Sequence, residues 1–419
     1  MEKHESKNLE FKVDISSGFL KTVSAFANYV GGRIIFGMSD EGEIRGLSDL
    51  DERALAIENS INDNISPMPP YVLNINRVDS TIVLEVQEGP YKPYLYKNRA
   101  YKRNDTATVE VDRLEYNRLI LEGRNQTYEE LPAKNQDLSF RYLEEKLVEK
   151  LSISELNEDI LKTLELYSLH IGYNRAAELL ADKNSYVGLD MVRFGENINE
   201  LFDRETYEKT SILKQYEQAI QLFKKYYQYE LIDGIERTTI EKIPEQAFRE
   251  ALANAIVHRT WDIDASIRIS MFKDKIEIVS PGGLMPGISR EEYLQGQISL
   301  LRNPIICNIF FRLKYIEKFG TGIRRINLSY ENNVIKPEYV IYENSISVTL
   351  PVLDQAEKVL TVDEKLIFDL ISGDSLTRTQ IEARSHMNKD KVIRVLNALI
   401  GKNVIERIGV GRGVKYRRI

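Results

Sequence analysis

The sequence predicts an α+β protein of several domains that ends in a winged helix-turn-helix. Three observations carry this reading. Residues 1–120 alternate helical and strand periodicity between Gly, Asp and Ser turns. Residues 121–135, LEGRNQTYEELPAKN, are polar and punctuated, as an interdomain linker is. The charge is split: residues 384–419 hold Arg384, Lys389, Lys391, Arg394, Lys402, Arg407, Arg412, Lys415, Arg417 and Arg418 against Asp390 and Glu406. That segment carries +8 within a chain of net charge −7, which leaves −15 elsewhere. Such asymmetry is expected when one module meets a polyanion and the rest does not. A length of 419 residues accommodates two to four domains.

Taken in order, Ser16 or Ser17 is placed to cap a helix whose apolar positions Phe19, Leu20, Val23, Phe26 and Val30 recur at helical spacing. Gly31-Gly32 stops it, and Arg33-Ile34-Ile35-Phe36-Gly37 reads as a buried strand. A short strand around Glu10 can pair with residues 33–38, bringing Glu5, Glu10 and the turn residue Asp40 to one sheet edge. Gathered there, three carboxylates could hold one divalent cation; held apart, they are a solvated acidic rim. Val72–Val78 and Thr81–Val86 form a hairpin around Asp79-Ser80, followed by strands at Tyr94–Tyr96 and Ala100–Lys102 and a closing helix at Asp112–Leu121. In YLYKNRAYKRND, Tyr94, Tyr96 and Tyr101 interleave with Lys97, Arg99, Lys102 and Arg103. Tyrosine rings stack on bases while cations meet phosphates, a combination suited to single strands and loops. The same pattern also keeps an edge hairpin soluble.

Residues 5–47, ESKNLEFK and then SAFANYVGGRIIFGMSDEGEIRGL, closely resemble the Schlafen-type AlbA-like domain, with similarity continuing to about residue 120. The family's ESxxxEFK and GVDD motifs fall on Glu5, Glu10 and Asp40. In its ribonuclease members three acidic residues bind a divalent cation and cleave structured RNA. The resemblance thus implies Mg²⁺ or Mn²⁺ on Glu5, Glu10 and Asp40, with Lys12 steadying developing negative charge. Many bacterial relatives with the same motifs are described only as DNA-binding or regulatory proteins.

Residues 121–240 read as linker and scaffold. Helical patterns dominate from Phe140 to Lys183, with Ile160, Leu161, Leu164 and Tyr167 on one stripe, followed by a strand at Tyr186–Phe194 and a helix at Ile212–Tyr229. Residues 241–352 carry chemistry. Pro244 opens a helix on which Glu250, Asn254 and His258 share one face, opposite Phe248, Leu252, Ala255 and Ile256. Strands at Ile267–Phe272 and Lys275–Val279 follow. REALANAIVHR resembles the N-box helix of the gyrase–chaperone–histidine-kinase ATPase fold, where the acid activates water and the Asn holds magnesium. Phe319-Gly320-Thr321-Gly322-Ile323 resembles a glycine-rich lid whose amides meet phosphates. The resemblance implies ATP on Glu250, Asn254, His258, Gly282, Gly283, Gly320 and Gly322. One departure stands out. The fold reads adenine with an aspartate in a DxGxG turn, and Val279-Ser280-Pro281-Gly282-Gly283 has no acid. Either ATP binds in an altered pose, weakly, or the pocket is structural or dimerising. The pattern also resembles a module described as RecG-like at its C-terminal end, and without a GxxxxGK[ST] loop no motor activity is expected.

Residues 361–419 give the winged helix. Asp363–Ser372 is its first helix, with Leu366, Ile367 and Leu370 inward. Thr377 caps a second helix through Arg384. Asn388 caps a third, which turns Val392, Val395, Leu396 and Leu399 to the core and Lys389, Lys391 and Arg394 outward. Val404–Ile408 and Val414–Arg418 flank a glycine-tipped wing carrying Arg412, with Lys415 beside it. This design lays one helix in the major groove and the wing on the backbone, unless the module docks a protein instead.

Cys307 is the only cysteine, which excludes a disulfide or a zinc–cysteine cluster within one chain and suits a reducing compartment. No apolar run approaches the roughly 20 residues that span a bilayer, and MEKHESKNLEF has no apolar signal region. A cytoplasmic protein without membrane contact is expected. Three functions fit: a homodimeric DNA-binding transcriptional regulator, a metal-dependent endoribonuclease acting on tRNA or other structured RNA in stress or phage defence, and a nucleotide-driven switch. The first is favoured because a helix-turn-helix normally reads duplex DNA, as a dimer on two half-sites. The endoribonuclease is the runner-up.

Overall fold

The computed structural model describes all residues except 1–3, 234–235, 286, 297–299, 318–319, 332, 334, 354–359, 372–374, 403, 410–413 and 419. The chain forms two compact units, Met1–Tyr128 and Glu129–Ile419. In the first, a four-stranded sheet runs in the order Leu9–Lys12, Gly32–Phe36, Thr81–Val86, Tyr71–Asn76. The first pair is parallel, with Glu10 opposite Ile34, and the other pairs are antiparallel. The helix Phe19–Asn28 makes the crossover that a parallel pair requires. Its Phe19, Leu20, Val23 and Phe26 pack with Ile34, Phe36, Ile82 and Leu84 in one core.

Two expectations for this helix need correction. Neither Ser16 nor Ser17 caps it through a side chain; Gly18 is the N-cap, and the Ser16 and Ser17 carbonyls accept the Phe19 and Leu20 amides in a lead-in turn. Val30 is 72% exposed because the helix ends at Asn28, before the stripe reaches it. Asn28 is held by a tertiary clamp instead. Its Oδ1 accepts the Tyr94 amide at 2.7 Å and its Nδ2 donates to the Tyr94 carbonyl at 2.9 Å, so a buried amide is satisfied at both ends.

The second unit is built on a six-stranded sheet: Leu201–Tyr207, Leu189–Phe194, Ile267–Met271, Lys275–Pro281, Ser345–Pro351, Glu338–Ile341. Leu189–Phe194 runs parallel to Ile267–Met271, so part of the stretch read as scaffold belongs to the same sheet as the polar-faced helix module. The helices Ile212–Tyr227 and Glu245–Val257 meet through Phe223 and Phe248, stacked with centroids 4.2 Å apart. Between these helices lies a hairpin, Gln228–Asp233 with Glu236–Glu241, whose strands pair only with each other among the described residues.

The C-terminal part holds the helices Val362–Leu370, Arg378–Ser385 and Lys389–Gly401 and the strands Leu376–Thr377, Ile405–Ile408 and Lys415–Arg418. In their sheet the third strand lies between the first and the second. Thr361 with Glu364 and Thr377 with Gln380 form capping boxes, and the Asn388 side chain accepts the Lys391 amide. Leu366 turns outward, 43% exposed, and Phe368 takes the inward place beside Ile367. The wing residue Arg412 lies outside the described residues.

Candidate nucleic-acid interface and nucleotide pocket

Glu10 sits in a strand whose residues on both sides are buried, and it is itself 5% exposed. Lys12 Nζ lies 2.6 Å from its Oε1. Its Oε2 accepts the Thr22 hydroxyl at 2.7 Å and Arg103 Nη1 at 2.5 Å. Arg103 also donates to Thr108 Oγ1 at 2.9 Å and to the Ser6 carbonyl at 3.2 Å. Glu5 spends Oε1 on the Phe11 amide at 2.9 Å, and Asp40 is exposed on the following turn. Among the described residues no group of three His, Cys, Asp or Glu side chains is placed to hold a metal ion. As arranged, this set does not fit a divalent cation, because two side-chain cations already neutralise Glu10.

The basic–aromatic stretch is divided by strand parity. In Tyr101–Asn104 alternate side chains face opposite sides, so Tyr101 and Arg103 turn inward while Lys102 turns out. Tyr96 and Tyr101 belong to the core, 4% and 7% exposed, and are not open stacking platforms. Arg103, expected on a nucleic-acid surface, is buried against Glu10. Lys97 and Arg99 remain outside, Lys97 over the Tyr96 ring and Arg99 paired with Glu110 at 2.7 Å; Lys102 pairs with Glu115 at 2.7 Å.

In the second unit, the helix Glu245–Val257 places Asn254 and, at its C-cap, His258 in the wall of a cavity of roughly 80 Å³ that Gly283, Arg302, Gly320 and Gly322 also line. Glu250 lies just behind, buried, and burial raises its carboxyl above the usual range. Burial and then the Arg302 charge pull His258 down to about 4, so it is neutral at pH 7. Gly322 opens the helix Gly322–Ser329, and a Cβ there would stand 2.6 Å from both Asn254 Nδ2 and Glu250 Oε1. Only glycine lets the turn come that close. Gly282 has φ +114°, and a Cβ there would stand 2.2 Å from both Arg302 Nη1 and Thr260 Oγ1.

Sequence reasoning missed Arg302, although it opens the Arg302-Asn303-Pro304 stretch. Its guanidinium bonds Thr260 Oγ1 and the Gly283 carbonyl. It fills the place beside the turn that lacks the adenine-reading acid, and no carboxylate is among the described lining residues. Asn303 donates to the Val257 and Arg259 carbonyls, fixing this strand-side loop to the end of the polar-faced helix.

In the C-terminal part, Lys389 and Arg394 are exposed on the helix Lys389–Gly401, and Arg384, Arg407 and Lys415 are exposed on the elements around it. None of these five has a carboxylate partner among the described residues. Lys391 differs from expectation: it is half-buried and paired with Asp363 at 2.7 Å. Arg417 is paired with Glu406 and Arg418 with Asp369.

Residues 5–112 match the family model described as Schlafen, AlbA_2, and residues 264–350 match that described as Putative ATP-dependent DNA helicase recG C-terminal. Comparison with curated proteins gives no match. Among solved structures, the chain is similar to the DIP2311 protein from Corynebacterium diphtheriae, with 15% identity and a TM-score of 0.49 over 99% of this chain and 95% of that one. The first unit thus places the chain in a nucleic-acid-binding class. More particularly, it is a multidomain protein in which a Schlafen-type AlbA-like domain is joined in one chain to a RecG C-terminal-like module of the gyrase–chaperone–histidine-kinase type. No helix among the described residues is long and apolar enough to cross a membrane.

Proposed function

We propose that the protein is a DNA-binding transcriptional regulator that acts as a homodimer, with the winged helix as its duplex reader and the cavity beside Asn254 as a ligand-sensing module. One observation supports this best. Lys389, Arg394, Arg384, Arg407 and Lys415 stand exposed without carboxylate partners among the described residues, whereas Arg99, Lys102 and Arg103 in the N-terminal unit are committed to Glu110, Glu115 and Glu10. Unpaired cations release counterions on meeting phosphate; cations already paired must first lose a partner. The lock around Glu10 also favours binding over metal-dependent cleavage, since a metal would have to displace Lys12 and Arg103. Lys389→Ala with Arg394→Ala should weaken duplex binding and flatten the plot of log affinity against log salt by about 0.9 per lost phosphate contact. Unchanged affinity and slope in gel-shift titrations, with the winged helix deleted or with both cations removed, would sink the reading.

A further inference from the structure

The four-stranded sheet of the first unit has two edges, and they are treated differently. At Leu9–Lys12 the Leu9 amide donates to the Ser6 carbonyl at 3.2 Å and the Phe11 amide to Glu5 Oε1 at 2.9 Å, so the chain plugs its own edge. At the other edge, Tyr71–Asn76, no strand among the described residues pairs with the far side, and no amide of the strand bonds outside the ladder to Thr81–Val86. The ladder fixes which groups are left over. The Gln87 amide donates to the Pro70 carbonyl, so Pro70, Val72, Asn74 and Asn76 aim their backbone at Thr81–Val86, and Tyr71, Leu73 and Ile75 aim theirs outward.

An edge left in this state is normally defended by lysine, proline or a bulge. Within YVLNIN there is none of these: the strand is uncharged and keeps one register with its neighbour throughout. Its packing is unfinished as well. Tyr71, Leu73 and Ile75 lie against the core of the unit while only partly buried, and on the other face Val72 is 47% exposed, beside an exposed Asn74. Pro69-Pro70 before the strand and the turn that begins at Arg77 limit what can pair here to this short window, so a longer foreign strand gains nothing beyond it.

We propose that Tyr71–Asn76 pairs with the same strand of a second copy of this chain, antiparallel about a two-fold axis through Leu73, so that the two sheets become one. The strand is self-complementary in that register. Tyr71 falls opposite the partner's Ile75, Leu73 opposite the partner's Leu73, and Ile75 opposite the partner's Tyr71, so every outward backbone group of the three finds a donor or an acceptor. Tyrosine against isoleucine is an aromatic–β-branched cross-strand pair, and it occurs twice by symmetry. On the other face Val72 meets the partner's Asn74, and no like charges oppose. An axis through Asn74 instead would set Tyr71 against the partner's Arg77, beyond the strand, and leave its backbone groups unpaired. This deepens the dimeric part of the reading above, and the experiment measures mass without DNA, so that failure of the edge and failure of the duplex reader are told apart.

Light scattering on the purified full chain should give twice the mass of one chain, falling to the single mass on dilution. Val72→Lys with Asn74→Lys opposes lysine to lysine twice and should weaken the association about tenfold, with an unchanged circular dichroism spectrum. Val72→Glu with Asn74→Glu should do the same. Mixing these two proteins should restore the double mass, an outcome that misfolding cannot produce. Val72→Lys with Asn74→Glu reads the register: unlike charges meet when the axis passes through Leu73, and the association should tighten. If it loosens instead, or if the mixture stays at the single mass, the proposal is overturned. A double mass that none of these changes moves would also overturn it, by placing the contact between copies elsewhere. A wild type that stays at the single mass while still binding duplex DNA would remove the edge and the dimer together and leave the duplex reader standing.

Discussion

Glu10→Ala asks whether the acidic start of the chain is a charge-locked core or a free ligand set. Repulsion among Glu5, Glu10 and Asp40 would make loss of one acid neutral or stabilising. The structure reverses that sign. The Glu10 and Arg103 side chains are 7% and 4% exposed, so the alanine variant strands a guanidinium that retains only Thr108 Oγ1 and the Ser6 carbonyl. Removing one partner of a buried pair costs about 3–5 kcal/mol, a large share of the roughly 5–15 kcal/mol that holds a domain. Glu10→Gln keeps an acceptor of the same shape and should cost less. Glu10→Leu combined with Arg103→Met removes both charges and should be more stable than either single variant. Urea unfolding followed by circular dichroism reads each variant, with the lone Trp261 in the second unit as an internal reference. A coupling energy below about 1 kcal/mol would refute the account, given that exposed pairs reach only that range. So would a wild-type melting temperature that rises with millimolar Mn²⁺ and no longer does so in Glu10→Gln; at a hundredfold excess over its dissociation constant a bound metal adds about 2.7 kcal/mol.

Two further outcomes are expected. Glu129, fully buried, accepts the Ile305 amide at 2.5 Å and the Ile306 amide at 3.0 Å at the start of the helix Pro304–Arg312; Glu129→Ala should cost about 1–3 kcal/mol by leaving them unpaired. Burial raises this carboxyl to about 8, so the folded chain keeps a proton that the unfolded chain releases near pH ~4.3; stability should fall as pH rises between those values, and thermal melts of the variant should lack that slope. Gly322→Ala places a methyl 2.6 Å from Asn254 and Glu250, which should cost about 1–3 kcal/mol by overpacking and abolish whatever ATP binding calorimetry detects in the wild type.

Local chemistry was legible in the sequence wherever a pattern repeats at the period of the element that carries it. The crossover helix ending near Gly31-Gly32, the strand that follows, the hairpin around Asp79-Ser80 and the caps at Thr377 and Asn388 are all statements about neighbours in the chain, as is the shared face of Asn254 and His258. The strand parity that buries Tyr101 with Arg103 was also written there, but alternation alone does not say which face meets the core. The tertiary structure decided which charges became partners. Arg103 finds Glu10 across 93 positions, and Glu129 finds the Ile305 amide across 176, because sheet pairing and helix packing bring those backbones together. A carboxylate or guanidinium has the same composition whether it faces water or a counter-ion. Its free energy differs by several kcal/mol between the two, since desolvation acts only on the buried group, and burial is settled by contacts far apart in sequence.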